Sequence, residues 1–207
     1  MRIKYLIGLS FFLLLSFLGY SQNEVVHVYG QLKDQVTKKK LEDVSVQVFK
    51  DGALFDNFNA GKSGKYDLSL PLGPTYDIKF SKSGEFLSKT IRIDTKNIPA
   101  EERMGGFDLP VNGTLFAYRE GFNTDLLKEP MAKAKYDPAG DGFGFDSDFT
   151  YKRLKAIEDE FKRLDDLAKN KNKAREDFDK FVKAGDDNVI KKVYADAISN
   201  YEQALAL

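Results

Sequence analysis

From Glu24 onward apolar and polar residues alternate with a period of two, the pattern of half-buried strands. Val26, Val28 and Leu32 share one face, with His27, Tyr29 and Gln31 on the other. After a polar turn at Asp34 to Lys40, Val44, Val46 and Val48 alternate with Ser45, Gln47 and Phe49. Asp51-Gly52 suits the positive φ angles of a two-residue hairpin turn. Residues 44–50 are therefore predicted to pair antiparallel with 53–59. Asn59 to Leu70 is a glycine-rich turn feeding a strand, with Tyr66, Leu68 and Leu70 inward and Lys65, Asp67 and Ser69 outward. It lacks the Gly-Lys-Ser/Thr spacing and following helix of a phosphate loop, so Gly61 and Gly64 are read as chain-turning residues. Pro71-Leu72-Gly73-Pro74 ends that strand. Tyr76, Ile78 and Phe80 mark the next, Leu87, Ile91 and Ile93 another, and Phe107 to Leu109 a short last one. About seven short strands over 24–110 predict an all-β antiparallel sandwich. No helix-length segment separates them, which argues against a parallel α/β sheet.

Beyond the strands the pattern changes twice. Residues 111–150 hold Asn112-Gly113, Pro130, Pro138 and the run Gly140 to Phe145, and read as irregular. They also hold Leu115, Phe116, Tyr118, Phe122, Met131 and Tyr136, too many apolar groups for a free linker. This aromatic-rich extension is expected to pack on the sandwich, with a possible strand near Leu115 to Tyr118. From Thr150 the period becomes helical. Leu154, Ile157, Phe161, Leu164 and Ala168 step by three and four, with Asp148 as the expected N-cap. The polar run Asn170-Lys171-Asn172-Lys173 is expected to end that helix. A second carries Phe178, Phe181, Ala184, Val189 and Val193, and a last one Tyr194, Ala197, Ile198, Tyr201, Ala204 and Leu205.

Bulk composition narrows compartment and chemistry. Met1-Arg2-Ile3-Lys4 is a short cationic start, Tyr5 to Leu18 an apolar run, and Gly19-Tyr20-Ser21 a small-residue cleavage site. Residues 1–21 read as a signal peptide cut before Gln22 or Asn23. The alternative, a membrane anchor, needs about 20 apolar residues, and this run is shorter. Export to the periplasm follows, with secretion or outer-membrane association as variants. The 32 Lys and Arg balance 32 Asp and Glu, and loss of Arg2 and Lys4 leaves 30 against 32, a net −2. No basic concentration suggests nucleic acid. The chain has no Cys, which excludes disulfides, thiolate metal sites, Cys nucleophiles and a lipoprotein anchor.

Two stretches resemble known families. Val28-x-Gly30-x-Leu32, Leu41-Glu42-Asp43-Val44-x-Val46, Gly61-x-x-Gly64-Lys65-Tyr66-x-Leu68-x-Leu70 and Tyr76-x-Ile78-x-Phe80-x-x-x-Gly84 resemble the carboxypeptidase-regulatory-like domain. The resemblance covers Glu24 to Leu109 and implies a transthyretin-type (prealbumin-like) sandwich serving as a non-catalytic accessory module of exported bacterial proteins. The family's Thr and Asp before the second Gly are replaced here by Ala60 and Lys62-Ser63. Phe181-x-x-Ala184-Gly185 with Tyr194-x-x-Ala197-Ile198-x-x-Tyr201-x-x-Ala204-Leu205-x-Leu207 resembles one tetratricopeptide repeat. It implies two helices that approach closely over Gly185, Ala197 and Ala204, with Tyr201 filling the gap. The family's Tyr after the Gly is Asn188 here. One repeat cannot bury its own faces, so residues 151–207 are expected either to dock on the sandwich or to continue beyond the given chain; continuation is preferred.

Candidate chemistry is sparse. His27, the single histidine, is expected to be a solvated sheet-face residue without a partner close in sequence. The transthyretin scaffold also includes a purine-pathway hydrolase, which needs several histidines and a terminal Tyr-Arg-Gly-Ser; Tyr118-Arg119-Glu120-Gly121 fails that pattern. Asp137, Asp141, Asp146 and Asp148 form an acidic glycine-rich cluster whose functional reading is a Ca²⁺ loop, but EF-hand spacing is absent. No catalytic residue, cofactor or metal site is expected. The predicted function is a periplasmic scaffold or adaptor of an envelope or outer-membrane protein assembly. The alternative is a carbohydrate-binding accessory module using Tyr29, Phe49 and the aromatics of 116–145.

Overall fold

The structure, a computed structural model, describes residues 24–84, 86–140 and 142–207. The expected signal peptide lies outside these residues. Ten strands are present among them: β1 (Val25–Asp34), β2 (Ser45–Lys50), β3 (Ala53–Asn59), β4 (Lys65–Pro71), β5 (Thr75–Ser81), β6 (Lys89–Asp94), β7 (Phe107–Pro110), β8 (Gly113–Leu115), β9 (Ala132–Asp137) and β10 (Gly142–Phe145). Two helices follow, α1 (Ser147–Ile190) and α2 (Tyr194–Leu205). By compactness the chain forms two units. One holds the strands up to Tyr118 and again Leu127 to Thr150; the other holds Arg119 to Leu126 and Tyr151 to Leu207.

The sheet unit has two sheets. In one, β1 lies between β4 and β7 and also pairs with β8; the other runs β10-β9-β6-β5-β2-β3. The period-two pattern explains their inner faces. Along β4, Tyr66, Leu68 and Leu70 are buried while Lys65, Asp67 and Ser69 are exposed. Val26 and Val28 of β1 join Val46, Val48, Ile78, Phe80 and Ile93 of the other sheet in one buried apolar cluster. The β2–β3 hairpin has the expected register, Lys50 opposite Ala53, with Asp51 at φ 46° and Gly52 at φ 88°.

Two expectations are corrected here. The pairing is not purely antiparallel, because β7 and β8 run parallel to β1, and β9 runs parallel to β6. Nor is 111–150 irregular: it supplies β8, β9 and β10. Its turn residues lie between the strands, while Ala134 is buried opposite Ile93. Tyr136 and Phe143 meet Phe107 edge to face, with ring centroids 5.7 and 5.4 Å away. Aromatic pairs of this geometry add to what area burial alone contributes.

In the helical unit the predicted break at Asn170 to Lys173 does not occur. α1 continues for 44 residues, about 66 Å at 1.5 Å per residue. Polar side chains do not end a helix by being polar. Gly and Pro are the strongest helix breakers, and neither lies between Ser147 and Ala184. The N-cap is also displaced by two residues. Asp146 accepts the Phe149 N–H at 2.9 Å, which leaves Asp148 inside the first turn, where its charge suits the helix dipole. The chain turns at Lys191 to Val193, with Lys192 at φ 64°.

Candidate functional site

Three places concentrate side-chain chemistry, and the first is on the outer face of β1. His27 sits between strands β4 and β7, its Nε2 2.8 Å from Asp67 Oδ2 and its Nδ1 3.0 Å from Asp108 Oδ1. As expected, no partner lies close in sequence; both are across the sheet, 40 and 81 residues away. The two carboxylates favour the imidazolium and raise the His27 pKa, Asp67 most, then Asp108. Its ring also lies 5.2 Å from that of Tyr29. An Asp–His–Asp line can clamp three strands electrostatically. All three side chains are solvent-exposed to a substantial degree, so water and salt weaken the clamp.

Beside it is a cleft of about 580 Å³. Tyr29, Gly30 and Gln31 of β1 form its floor with Lys65, Tyr66 and Asp67 of β4, and Phe58, Asn59 and Asn112 complete it. Sheet order explains the opening, since β3 and β4 are edge strands of their respective sheets. The lining is held from behind. Tyr66 is buried and its hydroxyl donates to the Val111 carbonyl at 2.7 Å; burial pushes its pKa up. The Gln31 side-chain amide donates to the Ser63 carbonyl at 2.8 Å, and the Asn112 Oδ1 accepts the Gln31 N–H at 3.0 Å. Gly30 admits no Cβ, which would come within 1.9 Å of the Val111 carbonyl oxygen.

Of the aromatics expected to act with Tyr29, none lines this cleft. Phe49 is half-buried on β2. Phe116 is buried under the Lys89 ammonium, 4.5 Å from its ring centre, and Tyr136 and Phe143 are engaged with Phe107. Lys89 is itself buried, donates to Gln35 Oε1 at 2.9 Å, and loses enough hydration that its pKa falls to about 8. Of the acidic cluster, Asp137 and Asp146 line one pocket. Asp137 accepts the Ala139 N–H, Asp146 caps α1, and Asp141 lies outside the described residues. Among the described residues no three metal-ligating side chains gather.

The third place is the helical unit. Its segment 119–126 is tied to α1 by Glu160, which accepts the Asn123 N–H at 2.8 Å and both Arg163 Nε and Nη2, at 2.8 and 2.7 Å. Arg163 first, and Asn123 next, pull the Glu160 pKa down to about 2. Arg119 pairs with Asp165 at 2.7 Å, and Phe122 lies on Phe161 with centroids 5.7 Å apart. At the other end of α1, Tyr201 of α2 packs on Gly185, where an added Cβ would meet its ring at 2.5 Å, and donates to Asp186 Oδ1 at 2.7 Å. Ala197 and Ala204 are buried with it. The neighbouring flank of α2 is open: Tyr194, Ile198 and Leu205 are 59%, 58% and 85% exposed. Val189 and Ile190 at the end of α1 are exposed as well. No helix among the described residues is long and apolar enough to cross a membrane.

Comparison with known proteins finds no matching family and no matching curated relative. Part of the chain is similar to solved structures, some with transthyretin-like folds. 5-Hydroxyisourate hydrolase of Klebsiella pneumoniae matches 45% of this chain and 92% of its own at 11% identity, with a TM-score of 0.32. 3-Chlorocatechol 1,2-dioxygenase of Rhodococcus opacus 1CP matches 45% of this chain and 60% of its own, at 13% identity and a TM-score of 0.33. The Bacillus anthracis TIE protein matches 45% of this chain and 17% of its own, at 14% identity and a TM-score of 0.36. At these identities no activity transfers to this chain.

Proposed function

We propose that this protein is a non-catalytic adaptor of a bacterial cell-envelope assembly, exported to the periplasm and holding another protein through its helical unit. The observation that carries this is the open apolar flank of α2, with Tyr194, Ile198 and Leu205 along one side. Single exposed apolar residues are ordinary on any surface. Three on one helical stripe are the geometry of a helix that packs against another, and Val189 and Ile190 at the end of α1 are exposed as well. In this proposal α2 and the end of α1 act as one tetratricopeptide-like unit, consistent with Tyr201 seated on Gly185. In the same reading the two sheets, which share one apolar cluster, serve as a transthyretin-type, carboxypeptidase-regulatory-like sandwich. The partner is an envelope or outer-membrane protein that offers an amphipathic helix.

A photo-crosslinking amino acid at Ile198 in the full chain tests this in intact cells. The expected result is one defined adduct with an envelope protein, together with stoichiometric co-purification from solubilised envelopes. Ile198→Asp should abolish both while leaving the circular dichroism spectrum unchanged. Absence of any adduct, or an adduct indifferent to Ile198→Asp, would overturn the adaptor role.

A further inference from the structure

The cleft beside His27 has no part in that function, and its lining is selective about what could fill it. Its volume, about 580 Å³, is in the range of small-molecule sites. Its charge is balanced, with the single cation Lys65 against the single anion Asp67. A phosphate or a polyanion would gain from Lys65 and lose to Asp67. Three carboxamides, Gln31, Asn59 and Asn112, add donors and acceptors in similar number. Two of these are pre-set: the Gln31 amide is fixed to Ser63, which leaves its oxygen free to accept, and the Asn112 oxygen is used by the Gln31 N–H, which leaves its NH₂ free to donate. Tyr29 and Phe58 add ring surface. Tyr29 is 38% exposed and is braced by the His27 ring 5.2 Å away.

A ligand complementary to this lining is uncharged, bears many hydroxyls that both donate and accept, and has C–H faces to lay against a ring. Those are the properties of a neutral saccharide. A peptide strand fits less well, because a strand added at β3 or β4 is recognised by backbone groups along an edge, whereas this lining presents three side-chain carboxamides and aromatic ring surface. We propose that the cleft binds a short segment of a neutral glycan, about one or two sugar rings, with Tyr29 as the stacking surface and Gln31, Asn59, Lys65 and Asn112 reading its hydroxyls. Asp67, held by His27, orients the anionic end of the site.

The test uses the full mature chain in ¹⁵N-labelled form, titrated with neutral disaccharides derived from glucans, xylans and mannans, alongside a uronic-acid disaccharide and inorganic phosphate. The expected result is saturable shifts at residues 29–31, 58–59, 65–67 and 112 with at least one neutral sugar, at millimolar affinity or tighter. Tyr29→Ala should weaken that binding at least tenfold, and Asn112→Ala several-fold, with the rest of the spectrum unchanged. No shift with any neutral sugar overturns the proposal. So does stronger binding of the uronic acid or phosphate, a shift map centred elsewhere, or undiminished binding by Tyr29→Ala. The adaptor test at Ile198 is independent of each of these outcomes.

Discussion

His27 and Gly64 illustrate how much of this protein is decided by single residues placed against distant neighbours. His27 gains two carboxylate partners on folding, so its folded pKa lies above the usual 6.5. The sign follows directly. The clamp is complete below the unfolded pKa and is lost as pH rises through the folded one. As the chain's single histidine, it gives one imidazole signal to follow by NMR. Its midpoint should lie above 6.5, and Asp67→Asn should lower it more than Asp108→Asn, because Asp67 contributes most. An unshifted midpoint would show that the clamp does not form in solution. Gly64 is a backbone case. It sits at φ 70°, and an added Cβ would fall 2.6 Å from the Leu32 carbonyl oxygen and 2.7 Å from that of Leu41. Gly64→Ala combines left-handed strain with a clash against two fixed carbonyls, and should cost about 1–3 kcal/mol by denaturant unfolding. At Gly61, where an added Cβ would meet only ordinary contact, Ala should cost much less. The sequence marked both glycines as turn residues; only the folded chain separates them.

At the scale of elements, strands were more legible than helix ends. The seven strands between Val25 and Pro110 follow from alternation and turn residues, because burial on one face imposes a period of two. β8 to β10 were obscured by short length and by Gly, Pro and Asn around them, which signal turns but do not say what lies between. The long helix failed for the opposite reason: Asn170 to Lys173 is polar on every face, so it carries no period at all. Its neighbours Asp166 and Lys169, 3.9 Å apart, are among the weak pairs along this solvated stretch. A direct check is Asn172→Pro. In a turn, proline would be tolerated; inside continuous α1 it removes a hydrogen bond and clashes with the preceding turn, costing about 3 kcal/mol. Loss of helical ellipticity is expected, and an unchanged spectrum would restore the turn.

For the whole molecule, the two units should respond to pH at opposite ends of the scale. In the helical unit Glu160 is held down to about 2 from an ordinary 4.5. Its contribution is full above pH 4.5 and fades as pH falls toward 2. Acid titration should therefore loosen segment 119–126 first, seen as faster amide exchange at Asn123, and Glu160→Gln should remove much of that pH dependence. In the sheet unit Lys89 is depressed to about 8 from 10.5. Between those values the unfolded chain holds a proton that the folded chain has released, so stability rises with pH across that window. Lys89→Met keeps a flexible apolar chain against Phe116 and removes the buried charge. Sheet-unit stability at neutral pH should be equal or higher in Lys89→Met, and the slope between pH 8 and 10.5 should flatten.

The sequence by itself determined the strand-forming half, the helical half and the inward set Val26, Val28, Tyr66, Leu68, Leu70, Ile78 and Phe80, because periodicity is a local consequence of backbone geometry and one-sided burial. It also carried the close approach of Tyr201 to Gly185, through the small residues that such contact demands. Tertiary structure alone decided the parallel pairings of β7, β8 and β9, the aspartates that flank His27, and the cleft between edge strands β3 and β4. These join residues tens of positions apart, and no local pattern records which strand will lie beside which. The glycine turn and strand at 59–70 is where the two meet. Its pattern foretold the buried Tyr66, while its outward Lys65 and Asp67 became part of a candidate site only once β1 and Asn112 were folded against them.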